Sequence, residues 1–559
     1  GPTELPDLST LYWYAIGVPH RNRNREIPEH CFSHRFLLRT RVKVPESLNN
    51  RGFVLEFHEF RMIASVFVNG RHCGWSRNFD AFWQCDLTGA VKPGEINEIV
   101  VAIKSEHYAL TYDQSDKADE RARKLGLRAQ VNVPWSRRLG QSLGQFYDMP
   151  VANADMGPGI REAVRLVAVG KTWVEDVFAK PSVREKRLEL ELTLKNGGRQ
   201  DAAVSVENAV RRWTPDGPGP DVEKAFAPHA ITVPAGETAT VELMEAWENP
   251  ALYFPDDPNM YTVVTTVKAG GNVIDTKHTR FGFREIGWDG DGFSINGVPW
   301  QFWTDCDFKG SVEAFVAKAR AANQNAVRYM NWHGHKWVGS MRGHFSALDE
   351  AGIMTRASGT FDGMLAQYGP ALAEGKGKDR TWNRALFEHA AEQARAWVRG
   401  VRNHPSILLW SYENEVTFIN ANNLGMSAYV EPGMRWLGEQ VMQLDPTRPA
   451  CIDGGRALRP PEEWLNAPPD VVALGHLPVN CCHYNEQSGG VTLRDYPDAA
   501  YTSAHLFASR HRGRWPMAPD RPIVHGEVFF ANGFQPAQLA QFGGEACFVG
   551  PSEAWPARD

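Results

Sequence analysis

Two glutamates in this sequence stand just after short apolar runs. Glu415 follows Ile407–Trp410 after four further residues, and Glu527 follows Pro522–Val524 after two. An unbroken apolar run is typical of a strand buried on both faces of a parallel sheet. The carboxyl ends of such strands carry the catalytic side chains of a (β/α)8 barrel. Two glutamates at strand ends, 112 positions apart, therefore indicate the paired-carboxylate chemistry of glycosidases.

The segment around Glu415 also resembles a known family. Residues 403–415 read NHPSILLWSYENE, and this order of residues resembles the acid/base motif of glycoside hydrolase family 2. The family contains β-galactosidases, β-glucuronidases and β-mannosidases, and the resemblance extends over nearly the whole chain. It implies a retaining mechanism, with Glu527 as the nucleophile and Glu415 as the acid and then the base. The two carboxyl groups would then lie about 5–5.5 Å apart.

The two glutamates need opposite protonation states. Glu415 must hold a proton near the working pH, which desolvation or a nearby negative charge favours. Glu413 is a second carboxylate two residues earlier, and it could raise the pKa of Glu415, bind substrate or meet a cation. Glu527 must stay ionised, which a neighbouring cation favours. The family motif Asn-Ala-Val-Arg ends at Arg328, so the resemblance implies that role for it, with a structural ion pair as the alternative.

The resemblance also implies residues that contact the sugar. Asn414 matches the position that hydrogen-bonds the sugar 2-hydroxyl, and Tyr484 corresponds to a tyrosine on the sixth barrel strand that contacts the nucleophile. A different placement of that strand puts His476 at the polar contact instead. Asp305, at the end of the first predicted barrel strand, belongs to the same predicted substrate-binding set.

The residues after Arg328 depart from the family. Its galactosidases and glucuronidases often continue with His-Tyr-Pro, whereas residues 329–335 read YMNWHGH here. We consider Trp332 as a platform for a sugar ring and His333 as a hydroxyl contact, with packing an equal alternative for both. This departure leaves the sugar class open.

Turn residues and periodicity predict two β-rich domains before the barrel. Residues 1–168 contain the dipeptide Asn69-Gly70, which is typical of a tight hairpin, and they resemble the N-terminal jelly-roll β-sandwich of the family. Residues 169–284 contain the alternating run LELELTL at 188–194, the pattern of a half-buried strand. They are predicted to form an immunoglobulin-like β-sandwich.

Residues 285–559 alternate strand-like and helix-like segments, which predicts a (β/α)8 TIM barrel and makes the chain multidomain. A helix is expected over 311–322, and 479–484 competes with 471–474 as the sixth strand. We find no eighth strand in the 32 residues after Glu527, so we expect a C-terminally incomplete barrel. The seven predicted strands lie at 301–303, 326–330, 353–355, 403–415, 450–453, 471–474 and 523–525.

Composition limits the classes of partner. The formal net charge is −6 and the isoelectric point is near 6.3, which argues against a nucleic-acid binder. No apolar run is long enough to indicate a membrane span, and the first residues lack the basic start and apolar core of a signal peptide. The compartment stays open, with a periplasmic or secreted protein favoured over a cytoplasmic one. A homo-oligomer is compatible with the sequence.

No metal or cofactor is predicted. The eight cysteines lack the Cys-x-x-Cys spacing of a metal site, and His333 and His335 have no evident third ligand. No Gly-x-Gly-x-x-Gly or Walker sequence indicates a nucleotide cofactor. The expected partner is a carbohydrate, either a glycoside or an oligosaccharide.

The sequence therefore predicts a glycoside hydrolase, and specifically a retaining exo-β-glycosidase that removes a terminal β-linked sugar through a covalent glycosyl-enzyme. Two alternatives stay open: an endo-acting polysaccharide hydrolase, and a non-catalytic carbohydrate-binding protein on the same scaffold. The presence of both glutamates argues against the second alternative. The fold cannot separate exo from endo action, because specificity depends on the site and its loops.

Overall fold

The computed structural model describes most of the β-rich part and much of the barrel. No helix in this part of the chain has the length and apolarity that crossing a bilayer requires. The described residues are 5, 8, 35–61, 63–77, 81–104, 159–160, 162–290, 292–302, 304–305, 310–330, 341–362, 372–417, 421, 425–453, 458–483 and 520–527.

The first β-sandwich contains a four-stranded and a three-stranded antiparallel sheet. The predicted hairpin at Asn69-Gly70 is confirmed, since both residues have positive φ and join two paired strands. The four-stranded sheet has the order Arg35–Lys43, Ile96–Lys104, Ile63–Val68, Arg71–Ser76. The three-stranded sheet has the order Trp83–Asp86, Gly52–Phe57, Val164–Val169, and Phe60–Arg61 pairs separately with Gly159–Ile160.

The second β-sandwich packs a three-stranded sheet against a five-stranded sheet around one apolar core. The alternation predicted at 188–194 is confirmed, because all four of its leucines are fully buried in that core. The smaller sheet has the order Thr172–Ser182, Arg187–Asn196, Thr238–Ala246. The larger has the order Gly217–Ala225, Ala202–Thr214, Tyr261–Ala269, Asn272–Phe281, with His229–Val233 also paired to Ala202–Thr214.

Seven parallel strands of the TIM barrel lie within the described ranges, and we number them along the chain. Strands 1 to 5 form one sheet, and strands 6 and 7 form a separate parallel pair. Strand 1 begins three residues later than predicted, and strand 3 runs seven residues past its predicted end. Residues 528–559 lie outside the described residues. The strands are Thr304–Asp305, Ala326–Met330, Met354–Asp362, Ile407–Asn414, Ala450–Cys451, Asn480–His483 and Ile523–Glu527.

The sixth strand predicted at 471–474 is wrong. Pro469–Ala473 forms a short helix there, and the competing segment supplies strand 6. Proline at the first helical position pre-sets the helical φ, and Gly475 follows the helix with a φ of 65°. Val471 is buried and Val472 is exposed. This difference fits one turn of a helix at the surface, whereas both valines would be buried in a strand covered on both faces.

Four helices connect consecutive strands from 1 to 5. The helix predicted over 311–322 is confirmed, and the Ser311 hydroxyl caps it by accepting from the Ala314 N–H at 3.2 Å. The four helices are Val312–Ala321, Met341–Ala351, Arg384–Val401 and Ser427–Leu444. Short 3-10 helices occupy Glu46–Leu48, Gly377–Asp379 and Pro461–Glu463. Small antiparallel pairings involve Tyr253–Phe254 with Asp257–Pro258, Phe293–Ile295 with Ile286–Gly287 and Val298–Trp300, and Ala373–Glu374 with Thr381–Trp382.

The second β-sandwich fixes the start of strand 4. The Asn403 side chain acts as a short extension of the sheet edge, because it donates to the Val177 carbonyl at 2.6 Å and accepts from the Ala179 N–H at 2.9 Å. The buried Arg284 donates to the Pro405 carbonyl at 2.8 Å. The Asn-His-Pro-Ser segment is therefore a joint between the sandwich and the barrel.

A buried ion cluster supports the same joint. The carboxylate of Asp349 accepts from the His404 Nδ1 at 2.6 Å, from the Arg280 guanidinium at 2.7 Å and from the Ser406 N–H at 3.0 Å. Burial alone would raise the pKa of Asp349, but His404 and Arg280 lower it overall. Burial lowers the pKa of His404, because an apolar environment disfavours the imidazolium.

This arrangement predicts that acid destabilises the protein. The folded pKa of His404 lies below its ordinary value, so below about pH 6.5 the unfolded chain binds more protons than the folded chain. Stability should therefore fall as the pH drops from 7 to 5, and the depressed pKa of Asp349 extends the loss to lower pH. We expect His404→Gln to weaken this dependence of Tm on pH, measured by thermal unfolding. The exposed control His278→Gln should retain the wild-type slope, and an unchanged slope in His404→Gln would contradict the assignment.

Candidate active site

Strand 4 delivers Glu415 to the carboxyl end of the barrel. All eight residues of Ile407–Asn414 are buried, whereas the apolar run predicted burial for Ile407–Trp410 alone, and strand 4 begins four residues later than predicted. Glu415 is the next residue, and its φ of 54° places it in the left-handed region, which costs about 1–3 kcal/mol for a residue with a side chain. Its N–H donates to the Asp453 carbonyl at 2.7 Å. The side chain is 3% exposed, so the turn holds a carboxyl group in a water-poor environment.

Glu413 holds this turn in place. One oxygen of its carboxylate accepts from the Asp453 N–H at 2.7 Å, and the other accepts from the Val416 N–H at 2.8 Å. Its side chain is fully buried. These two hydrogen bonds give Glu413 a structural role that was not among the three considered from the sequence, and those three stay predictions. The unusual backbone of Glu415 is enclosed between these two hydrogen bonds.

Asp453, just after strand 5, is the centre of a buried charge cluster. One carboxylate oxygen lies 2.6 Å from the Arg328 guanidinium, and the other lies 2.7 Å from the Arg356 guanidinium. Arg328 and Arg356 are register partners on strands 2 and 3. Two adjacent guanidinium groups repel one another in a buried site, and the carboxylate between them offsets that repulsion.

Arg328 also determines how Asn414 is oriented. Its guanidinium donates to the Asn414 side-chain oxygen at 2.6 Å and to the Ser358 hydroxyl at 3.3 Å. The structure thus brings together Arg328, Asn414 and the backbone of Glu415, three of the residues predicted from the sequence. The described partners of Arg328 support the structural ion pair that was kept as an alternative, and they leave its predicted contact with Glu527 a prediction.

Arg356 was not predicted from the sequence, although a signal was available. It interrupts the apolar start of strand 3, where a buried cation requires a partner. Besides Asp453, its guanidinium donates to the Gly526 carbonyl at 2.7 Å and lies 3.8 Å from the Cys481 sulfur. Arg356 therefore connects the five-stranded sheet to strands 6 and 7.

Strands 6 and 7 place the backbone of Glu527. They pair in parallel from Asn480 with Ile523 to His483 with Glu527, so Glu527 is the last residue of strand 7. Tyr484 follows strand 6 directly but lies outside the described residues. The side chain of Glu527 is likewise not described, and its distance from Glu415 stays a prediction.

The remaining predicted contacts are less well defined. Asp305 ends strand 1 as expected, and the structure describes its backbone alone. Trp332 and His333 lie outside the described residues, as does His335. The alternative contact, His476, lies after the short helix, and burial lowers its pKa. Within the described ranges, no group of three or more His, Cys, Asp and Glu side chains is arranged to hold a metal ion.

Three family models match consecutive parts of the chain. The galactose-binding domain-like model of glycosyl hydrolase 2 matches residues 12–157, and the model named glycosyl hydrolases family 2 matches residues 172–284. The TIM barrel domain of the same family matches residues 318–467. The chain belongs to glycoside hydrolase family 2. Glu415 lies inside the matched barrel range, whereas Glu527 lies beyond its end.

Individual relatives agree with this membership. A β-glucuronidase of Formosa agariphila is 25% identical over 265 residues, which is 46% of this chain and 24% of the relative. The structure of Bacteroides uniformis β-glucuronidase 2, covalently bound to cyclophellitol-6-carboxylate aziridine, has a TM-score of 0.57 at 17% identity, covering 80% of this chain and 49% of that one. The structure of a β-galacturonidase of Eisenbergiella tayi, bound to glycerol, has a TM-score of 0.61 at 16% identity, covering 93% of this chain and 80% of that one. At these identities the structures establish the fold, and the chain spans about a quarter of the length of the curated relatives that it matches.

The role of Glu413 can be tested by a single isosteric change. Glu413→Gln would turn one backbone-accepting oxygen into an NH2 group that faces an N–H donor. We expect a loss of about 1–3 kcal/mol in the free energy of unfolding, measured in urea. The exposed Glu462→Gln should change stability by no more than about 0.5 kcal/mol. Equal stability of Glu413→Gln and the wild type would refute this role.

Proposed function

We propose that this protein is a retaining exo-β-glycosidase, with Glu527 as the nucleophile and Glu415 as the general acid and then the general base. The observation that carries the proposal is that strands 4 and 7 both lead into glutamates and that one buried cluster touches both strand ends. Asp453 accepts from the Glu415 N–H through its carbonyl, and its carboxylate holds Arg356 against the Gly526 carbonyl. The backbone at Glu415 and the backbone next to Glu527 would therefore be held by the same two residues, Asp453 and Arg356.

The reaction proceeds in two steps. In the first, the Glu527 carboxylate attacks the anomeric carbon while Glu415 donates a proton to the departing glycosidic oxygen. In the second, Glu415 removes a proton from water, and the water oxygen displaces Glu527 from the anomeric carbon. Each step inverts the anomeric centre, so the product keeps the β configuration.

In this scheme Asn414 and Arg328 have supporting roles. The Arg328 guanidinium donates to the side-chain oxygen of Asn414, and we assign the amide of Asn414 to the contact with the sugar 2-hydroxyl. Hydrogen bonds to that hydroxyl strengthen in the transition state of glycosidases. Arg328 also contributes positive charge to the end of the barrel that carries the glutamates, where ionised Glu527 is required.

The names of the relatives guide the choice of glycone. The Formosa agariphila relative is a β-glucuronidase, and two of the similar solved structures are a β-glucuronidase and a β-galacturonidase. The Bacteroides uniformis enzyme is covalently bound to cyclophellitol-6-carboxylate aziridine, which is consistent with a covalent mechanism in this family. We therefore propose a terminal β-linked uronic acid as the first glycone to assay.

A panel of aryl β-glycosides tests the proposal. Glucuronide and galacturonide head the panel, followed by galactoside, glucoside and mannoside, and the full-length protein is used. We expect hydrolysis of one glycone, and a loss of at least about 100-fold in kcat for both Glu415→Ala and Glu527→Ala. The exposed control Glu462→Ala should match the wild type.

Azide distinguishes the two glutamates. Azide should rescue Glu527→Ala with formation of an α-glycosyl azide, because azide then takes the place of the nucleophile. It should rescue Glu415→Ala with formation of a β-glycosyl azide, because azide then attacks the opposite face, in the glycosyl-enzyme. Unaided turnover by Glu527→Ala would exclude it as the nucleophile. Oligosaccharide release from a polysaccharide with no aryl glycoside cleaved would favour endo action, and sugar binding with no cleavage would favour a binding protein.

A further inference from the structure

We propose that Arg356 is a positioning residue that sets the spacing between the two catalytic glutamates. This inference rests on the proposed function and adds a residue that lies in neither glutamate segment. Arg356 is on strand 3, is 7% exposed, and is directed into the barrel interior by its contacts with Asp453, Cys481 and Gly526.

Two separate sheets make up the described part of the barrel. In the described part of the chain, backbone ladders connect strands 1 to 5 with one another and strand 6 with strand 7, but the two groups form separate sheets. Side chains therefore make the polar connection between them. Arg356 reaches Gly526 on strand 7, and the Cys481 sulfur on strand 6 lies 3.6 Å from the Asp453 carboxylate.

The same guanidinium acts on both glutamates through the backbone. On one side it donates to the Gly526 carbonyl, and the next residue is Glu527. On the other side it pairs with Asp453, whose carbonyl accepts the Glu415 N–H and whose own N–H is held by Glu413. A shift of Arg356 would consequently move the ends of strands 4 and 7 relative to one another.

The planar shape of arginine suits this position. Two of its nitrogens reach acceptors on different segments, Asp453 just after strand 5 and Gly526 on strand 7, both at 2.7 Å, which matches the fixed fork of a guanidinium group. A lysine would place a single point charge there and could not hold both acceptors with the same geometry. The fixed fork thus defines one distance between strand 7 and the residue that supports Glu415.

The test compares Arg356→Met and Arg356→Lys with the wild type in the full-length protein, on the substrate found by the panel. A misplacement of about 1 Å lowers rates by about 100-fold, so we expect that loss in kcat for Arg356→Met, with KM changed by less than about threefold. Loss of the cation should also move the acidic limb of the kcat/KM profile to higher pH, because a nearby positive charge favours the ionised nucleophile. Arg356→Lys should keep the acidic limb of the kcat/KM profile at the wild-type pH and should have a lower kcat than the wild type.

Arg284→Met is the matched control, since Arg284 is also buried and also donates to backbone carbonyls of a barrel strand, but at the opposite end of strand 4. It should lower Tm and leave the acidic limb in place. If Arg356→Met likewise lowers Tm and leaves the acidic limb of the kcat/KM profile where it is in the wild type, the positioning role is wrong. Where Arg356→Met is too unstable to assay, Arg356→Lys decides: wild-type kcat in that variant overturns the proposal.

The two proposals fail in different ways. Full activity in Glu415→Ala or Glu527→Ala removes the proposed function whatever Arg356 does. Loss of activity in both glutamate variants, together with wild-type kcat in the Arg356 variants, removes the positioning role alone.

Discussion

The structure around the candidate active site depends on the burial of one carboxylate, Asp453, between two guanidinium groups. Arg328 and Arg356 sit side by side on neighbouring strands, and neither could be buried there without an anion. Removing one partner from such a buried arrangement costs about 3–5 kcal/mol, because the other charges stay behind. The pairing therefore holds Asp453 just after strand 5, and it also fixes the position of the Asp453 carbonyl, which accepts the Glu415 N–H.

Strand 4 is thus held at both ends by groups from outside it. At its start, the second sandwich supplies Arg284 and the sheet edge that Asn403 extends, and Asp349 fixes the intervening backbone. At its end, Glu413 and Asp453 enclose the left-handed turn at Glu415. A strained backbone at a functional residue persists only where its surroundings over-determine it. The second β-sandwich therefore contributes to the site by keeping strand 4 in register.

Local patterns predicted the parts of this arrangement that depend on local physics. The run Ile407–Trp410 is a fully buried strand, the leucines at 188–194 form a core face, and Asn69-Gly70 is a hairpin turn. The strand predicted at 471–474 is wrong because Pro468 and Pro469 start a helix there, and a single helical turn can bury one valine of an apolar run. Arg356 and Asp453 were missed because they are 97 positions apart. Their pairing depends on which strands become neighbours, and single-sequence periodicity does not show this. The contacts assigned to Trp332, His333 and Tyr484 stay predictions.

If this cluster brings Glu415 and Glu527 to the separation of a retaining glycosidase, a crystal structure of the full-length protein will show it in the distance between their carboxyl groups. We predict carboxyl groups about 5–5.5 Å apart, with Arg356 bridging Asp453 and the Gly526 carbonyl. A separation of about 6.5–9.5 Å would leave room for a water molecule between the glutamates and indicate inversion. A Glu527 side chain directed away from Glu415 would contradict the paired-carboxylate assignment itself.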